Sequence, residues 1–116
     1  MLQGPLWKKQ SFKGKLAAGF TVSSLPAGDK QSTLISLFTF CMQHGMIWVG
    51  NPILPEQHQG VPYMQAANRL GSWSGLMAQA EHASAADAFD LGDIKTAQLF
   101  GENFASSLNA YQGVVM

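Results

Sequence analysis

The chain has 116 residues, 47% of them hydrophobic, and its seven Lys and Arg balance its seven Asp and Glu. That length makes at most one domain, and that composition belongs to globular material rather than to a disordered tail. No basic excess draws the chain to nucleic acid, no acidic excess makes an electron-carrier surface, and a single cysteine, Cys41, excludes an internal disulfide and a Cys-rich metal site.

Charged residues make up only 12% of the chain, which fits a subunit much of whose surface is covered by partners, so a homo-oligomer is expected beside the plain alternative of a weakly charged monomer. His44, His58 and His82 are scattered and form no spaced ligand set, so no metal is expected. No apolar run approaches the roughly 18 residues of a membrane helix. In the first ten residues the lysines follow the apolar residues, against the order of a signal peptide, and a cytoplasmic, reducing compartment is expected.

Residues 1–15 read as a lead-in segment with a Gly4-Pro5 turn. Four of the seven basic residues, Lys8, Lys9, Lys13 and Lys15, lie there, as a solvated loop or as an edge that attracts phosphate. Residues 16–21 form a first strand. Ala17, Ala18 and Gly19 are poor strand formers alone and suit a buried strand with helices packed closely on both faces. In the loop that follows, Pro26 and Gly28 forbid regular structure, and Asp29 is a candidate N-cap.

The spacing of Leu34, Leu37, Phe38, Cys41 and Met42 predicts an amphipathic helix over 30–43, with Ile35 and Phe40 widening its apolar face so that it is covered on more than one side. Gly45 ends it. Cys41 on this face reads as a core thiol rather than a nucleophile, with no base near it in sequence. Residues 46–49 are short and continuously apolar, a second strand. Strand, loop, helix and strand make a βαβ unit, and ligands of such sheets bind beyond the carboxyl ends of the strands, where the 22–29 loop lies.

The prolines at 52, 55 and 62 with Gly60 predict a loop over 51–63, long enough to be functional or a subunit contact, with His58 facing solvent. Residues 68–79 read as a packed turn in which Gly71 and Gly75 let the backbone approach a neighbour; Trp73 occupies the position a serine would need in a hydrolase elbow. Residues 80–92 are small and acidic, another loop. A last helix over 94–111, capped by Asp93, lines one face with Ala97, Phe100, Phe104, Leu108 and Tyr111, and Gly113 ends it. The chain has no P-loop, no GxGxxG and no defensible serine–histidine–acid set. Its residues alone specify an α/β domain with a ligand loop after a parallel strand, and no ligand.

Gly4-Pro5-Leu6-Trp7, Lys13-Gly14-Lys15, Phe20-Thr21, Gly28, His44-Gly45-Met46 and Trp48-Val49-Gly50 together resemble the second half of the flavodoxin-like FMN-dependent NAD(P)H:quinone oxidoreductases, the Trp-repressor-binding-protein-like group. Asn68-Arg69-Leu70-Gly71-Ser72-Trp73 with Met77-Ala78-Gln79 resembles a branch of NADPH-dependent FMN reductases. The resemblance covers nearly all of the chain. It implies a doubly wound parallel sheet of order 2-1-3-4-5, of which this chain supplies the last two strands and two helices as a single, partial domain over residues 1–116. It implies that Val22, Ser23, Ser24, Leu25, Pro26 and Ala27 hold the ring of FMN, chiefly through backbone amides. It puts Gln43 where the family has a flavin-touching histidine, and Trp7 over the ring where NAD(P)H or quinone stacks, or at a subunit contact, or both.

The chain departs from the family pattern where Leu25 and Pro26 interrupt a glycine-rich run, and where glutamine replaces the first of two histidines. The family's phosphate loop, first three strands and second flavin loop have no counterpart in the sequence. Two functions stand side by side. One is an FMN oxidoreductase passing electrons from NAD(P)H to a quinone or similar acceptor. The other is a non-catalytic fragment or assembly module of the same fold, whose open strand edge and apolar faces invite association.

Overall fold

The computed structural model of the chain describes residues 4–81, 84 and 87–115. In order these are α1 (Gly4–Lys8), β1 (Leu16–Ala17), β2 (Phe20–Ser23), α2 (Lys30–Gln43), β3 (Ile47–Trp48), two short 3-10 turns, β4 (Leu76–Gln79) and α3 (Leu91–Val115). The α/β class and its parallel pairing are those expected. Part of the expected 80–92 loop, and the start of the lead-in segment, lie outside the described residues.

β1 pairs with β3 and β2 pairs with β4, both parallel. The backbone bonds join these into one ladder. The carbonyls of Lys15, Ala17, Gly19 and Ser23 accept from the amides of Ile47, Val49, Leu76 and Ala80 at 2.8–3.0 Å. Alternate backbone groups of a strand point to opposite edges, so these odd-numbered acceptors all face one neighbour. Residues 16–23 are therefore one strand. Its neighbour is a strand interrupted after Val49 and resumed at Leu76. The expected turn over 68–79 thus ends in a strand that the sequence reading lacks, and Val22 and Ser23, expected in the loop, complete the first strand.

The excursion between the two halves is closed at its neck. Asn51 N donates to Trp73 O (2.9 Å), Asn51 Nδ2 to Ser72 O (2.9 Å) and Trp48 Nε1 to Ser74 O (2.9 Å). Asn68 bonds Ile53 O and Ser72 from inside it. These bonds return the chain to the line it left, so β4 continues the ladder begun by β3.

α2 lies on one face of the sheet and begins and ends where the sequence predicts. At its C-terminal end Gly45 N donates to Met42 O and Met46 N to Cys41 O, the paired bonds of a Schellman motif. Its N-terminus differs from expectation. Asp29 sits at φ 53° and makes no capping bond from its side chain. A left-handed backbone is not the extended one from which a cap side chain reaches back.

Leu34 is fully buried against Gly19 and Gly75, but Ile35, Leu37, Phe38 and Met42 are exposed. The expectation that α2 is covered on more than one side is corrected here: among the described residues only a two-stranded ladder lies under it. The Cys41 thiol is pushed up by burial, which agrees with an unreactive packing role.

α3 packs on the other face, with Phe100 buried. It starts earlier than expected, because Asp90 O receives the amides of Asp93 and Ile94, and it runs through Gly113. Asp93 lies inside the first turn, and its carboxylate serves other partners than the helix end.

The close approach of strand and neighbour leaves no room at Gly75. A Cβ there would stand 2.5 Å from the Gly19 carbonyl oxygen, a backbone atom that cannot swing aside. Gly75→Ala should cost about 1–3 kcal/mol, read as a lowered urea midpoint, and an unchanged midpoint would show that the two strand halves are not held this tightly.

Candidate ligand loop and its buried charges

β2 delivers the chain to a loop over 24–29 at the carboxyl end of the sheet, and this loop is built around one lysine. Lys30, the first residue of α2, is 1% exposed, and its Nζ donates to Leu25 O (2.6 Å) and Pro26 O (2.9 Å). Burial pushes the Lys30 ammonium below the ordinary lysine value, and Asp93 nearby pulls it back. A cation at a helix N-terminus also runs against the helix dipole. Two carbonyls and a carboxylate offset those costs.

With its carbonyls turned in toward Lys30, the loop leaves its donors free. The amides of Ser24, Leu25, Ala27, Gly28 and Asp29 donate to no acceptor among the described residues. Gly28 and Asp29 are consecutive left-handed residues, a tight turn in the exposed part of the loop. Ser23 Oγ donates to Leu25 O, and Gln79 Nε2 to Ser24 O. Leu25, Pro26 and Ala27 themselves are exposed.

Behind the loop lies a buried ion pair. Arg69, from the excursion, donates from Nε to Asp93 Oδ1 (2.7 Å) and from NH2 to Asp93 Oδ2 (3.0 Å). Their side chains are 2% and 3% exposed. Asp93 Oδ2 also accepts from the amide of Gln79 (2.9 Å), at the last residue of β4. The Arg69 guanidinium lies 5.0 Å from the Tyr63 ring centroid and 3.4 Å from Asp90. The bond to Asp93 holds its proton more firmly than usual. A second link ties the excursion to α3: Glu56 Oε1 accepts from Lys95 Nζ (2.6 Å) and from Ala67 N (2.8 Å), which holds the Glu56 carboxyl below the usual range.

Sequence reasoning missed Lys30, Arg69 and Gln79, and assigned Asp93 to a cap. Arg69 and Gln79 act on partners 14 to 55 residues away, which no local spacing announces, and Lys30, although its carbonyl partners are near in sequence, reads in the sequence only as the first residue of a helix.

Trp7 and Gln43 stand elsewhere. Trp7 Nε1 donates to the Gln43 carbonyl (3.0 Å), which Gln10 Nε2 also reaches (3.2 Å). The Gln43 side chain is exposed. His44 beside it is buried between Phe12 and Phe40, with ring centroids 5.6 and 4.5 Å away. This group sits at the C-terminal end of α2, and the 24–29 loop at its N-terminal end. α2 has 14 residues, about 20 Å of axis. The fold thus gathers 22–27 at one end and Trp7 with Gln43 at the other, and within one copy the two groups cannot touch one ring.

Among the described residues there is no group of three or more His, Cys, Asp and Glu that could hold a metal, and no helix long and apolar enough to cross a membrane. His82 lies outside the described residues.

No protein-family model matches the chain. It is 32% identical over 99 residues to a protein named Flavodoxin FldP in Pseudomonas aeruginosa, covering 85% of this chain and 53% of that protein. It is 37% identical over 67 residues to an NAD(P)H dehydrogenase (quinone) of Archaeoglobus fulgidus, covering 58% and 35%. It is 31% identical to the protein of that name in Azorhizobium caulinodans, covering 84% and 53%. The chain spans about half, or less, of the length of these curated relatives.

Asp93→Ala strands a buried guanidinium and should cost about 3–5 kcal/mol, with a large part recovered when Arg69→Met is added; equal losses in single and double variants would contradict the pairing. Glu56 stabilises the fold above its ordinary value of about 4.3, and that share is lost as pH falls through it toward the lower folded value. The urea midpoint should therefore drop below about pH 5, and less steeply in Glu56→Gln.

Proposed function

The chain belongs to the flavodoxin-like NAD(P)H:quinone oxidoreductase family, and on that premise we propose that it serves an oxidoreductase in which the 22–27 loop holds the ring edge of FMN. Electrons pass from NAD(P)H to a quinone or similar acceptor. The observation that carries this reading is the set of unspent amides at Ser24, Leu25, Ala27 and Gly28. They match the acceptor-rich pyrimidine edge of the ring. Among the described residues no comparable feature fits the FMN phosphate, so the reading assigns the ring edge alone to these residues.

Bound FMN supplies two-electron chemistry between the two substrates. The chain's own part is binding and orientation. Lys30 holds two loop carbonyls away from the ligand, so that donors and not acceptors meet it. Its buried positive charge lies behind the loop and favours a ring that gains negative charge. Gln79 and Asp93 fix the loop to the strand ends. Trp7 offers an indole for NAD(P)H or quinone to stack on, and Gln43 an amide. Because both lie at the far end of α2, they serve the ring of a second copy, which ties the proposed homo-oligomer to the site. A cytoplasmic setting belongs to the same reading.

The second reading, a non-catalytic assembly module, is favoured by a different observation: the row of exposed apolar residues Phe20, Val22, Ile35 and Phe38 around the ladder.

Titration of the purified chain with FMN, followed by visible absorbance and flavin fluorescence, separates the two. Saturable quenching with a shifted spectrum, weakened about tenfold or more by Lys30→Met, supports the flavin site, and NAD(P)H–quinone assays then measure turnover. No change at the highest soluble flavin concentration would overturn it for this chain.

A further inference from the structure

The chain's formal net charge is zero, but its unpaired cations are gathered at one end. Of the seven basic residues, Lys30 is spent on two loop carbonyls, Arg69 on Asp93 and Lys95 on Glu56. The other four, Lys8, Lys9, Lys13 and Lys15, are exposed, and no ion pair among the described residues involves them. No acidic residue precedes Asp29. The stretch that carries these lysines is held in place. Trp7 Nε1 and Gln10 Nε2 donate to Gln43 O, and Gly14 N donates to Gly45 O (2.9 Å). The Lys13 stem lies on Gly45, where an added Cβ would stand 3.2 Å from Lys13 Cγ. The cations therefore share one fastened segment with Trp7. The last carbonyls of α2 also end here, and that end of a helix repels anions, so an anion bound here needs the lysines.

We propose that Lys8, Lys9, Lys13 and Lys15 form a phosphate subsite beside Trp7 that selects NADPH over NADH. The proposal rests on the oxidoreductase reading, in which the Trp7 indole stacks the nucleotide. The two coenzymes differ only in the 2′-phosphate on the adenosine ribose, a group that carries nearly two negative charges near neutral pH. A lysine ammonium binds a phosphate as a point charge. A cluster of such charges with no carboxylate to compete favours the ligand with more phosphate charge. Lys8 and Lys9 follow Trp7 directly, so a dinucleotide with its nicotinamide on the indole meets cations next to the ring. Lys30, at the opposite end of α2, is buried and bonded to carbonyls, and does not serve this role.

The test uses the flavin-free chain, because Trp7 and the lysines belong to one copy. NADP+ and NAD+ are titrated separately at low salt, about 20 mM, where charge contacts are least screened. Binding is followed by the NMR signals of the amides of residues 7–15 and of the Trp7 indole. NADP+ is expected to bind about fivefold or more tighter than NAD+, and the ratio should fall to about one in the variant Lys8→Gln/Lys9→Gln/Lys13→Gln. Urea unfolding checks that the variant keeps its fold; if it does not, the pair Lys8→Gln/Lys9→Gln, which leaves Lys13 on Gly45, gives the same comparison. Equal affinities, binding of neither coenzyme, or a preference that survives the substitutions would overturn the proposal. So would competition by inorganic pyrophosphate as strong as that by NADP+, which marks a general anion surface. FMN titration of the unsubstituted chain is read by flavin fluorescence, so failure of the flavin site and failure of the coenzyme preference are told apart.

Discussion

Arg69 and Asp93 are the two charges on which the continuity of the sheet depends. A strand that stops at Val49 and resumes at Leu76 needs something to bring the returning chain back to the same line. The neck bonds of Asn51 and Trp48 align it from below. Asp93 does so from above, by taking the Gln79 amide and the Arg69 guanidinium on one carboxylate. Such a pair is not a large net source of stability, because burying two ions consumes most of what their attraction returns. Its effect is selective. Any register that moves Gln79 by one residue leaves Asp93 short of a donor and Arg69 partly unpaired, and errors of that kind are costly in a dry interior.

The same cluster reaches the ligand loop. Lys30 feels Asp93 and Arg69 with opposite sign, so loop, excursion and last helix share one buried electrostatic neighbourhood. A change that loosens Arg69 alters the surroundings of Lys30 as well. The loop's geometry is thus inherited from contacts made by residues up to Asp93, far along the chain from Ser24.

How legible this was depended on the range of the interaction. The bounds of α2 follow from local signals, an apolar stripe of period 3.6 and a glycine just past its end, and they were readable. The ladder's first half was readable for the same reason. β4 was not: Leu76-Met77-Ala78-Gln79 has no β-branched residue and follows a run of glycine and serine, and only pairing with residues 20–23 makes it a strand. Asp29 and Asp93 stand where caps belong, yet one is held left-handed and the other is claimed by Arg69. The spread of apolar residues around α2 was visible, but what covers them is not a local property. Trp7 and the 22–27 loop were brought together by resemblance to whole family members, and the 20 Å or so of helix between them comes from three-dimensional placement that no spacing rule contains.

The interrupted strand also orders events in time. Leu16 pairs with Ile47 and Phe20 with Leu76, so the sequence separation jumps from 31 to 56 residues within one strand. The longer closure adds only about 0.5 kcal/mol of chain entropy, but non-local parallel pairing is slow. On a growing chain the lower ladder and α2 can form while the upper half of the first strand still waits for its neighbour, and Lys30 waits longer for Asp93. The ligand loop thus joins a local fastening, the Lys30 bonds four and five residues back, to one that spans 55 residues, the Gln79 bond to Ser24 O.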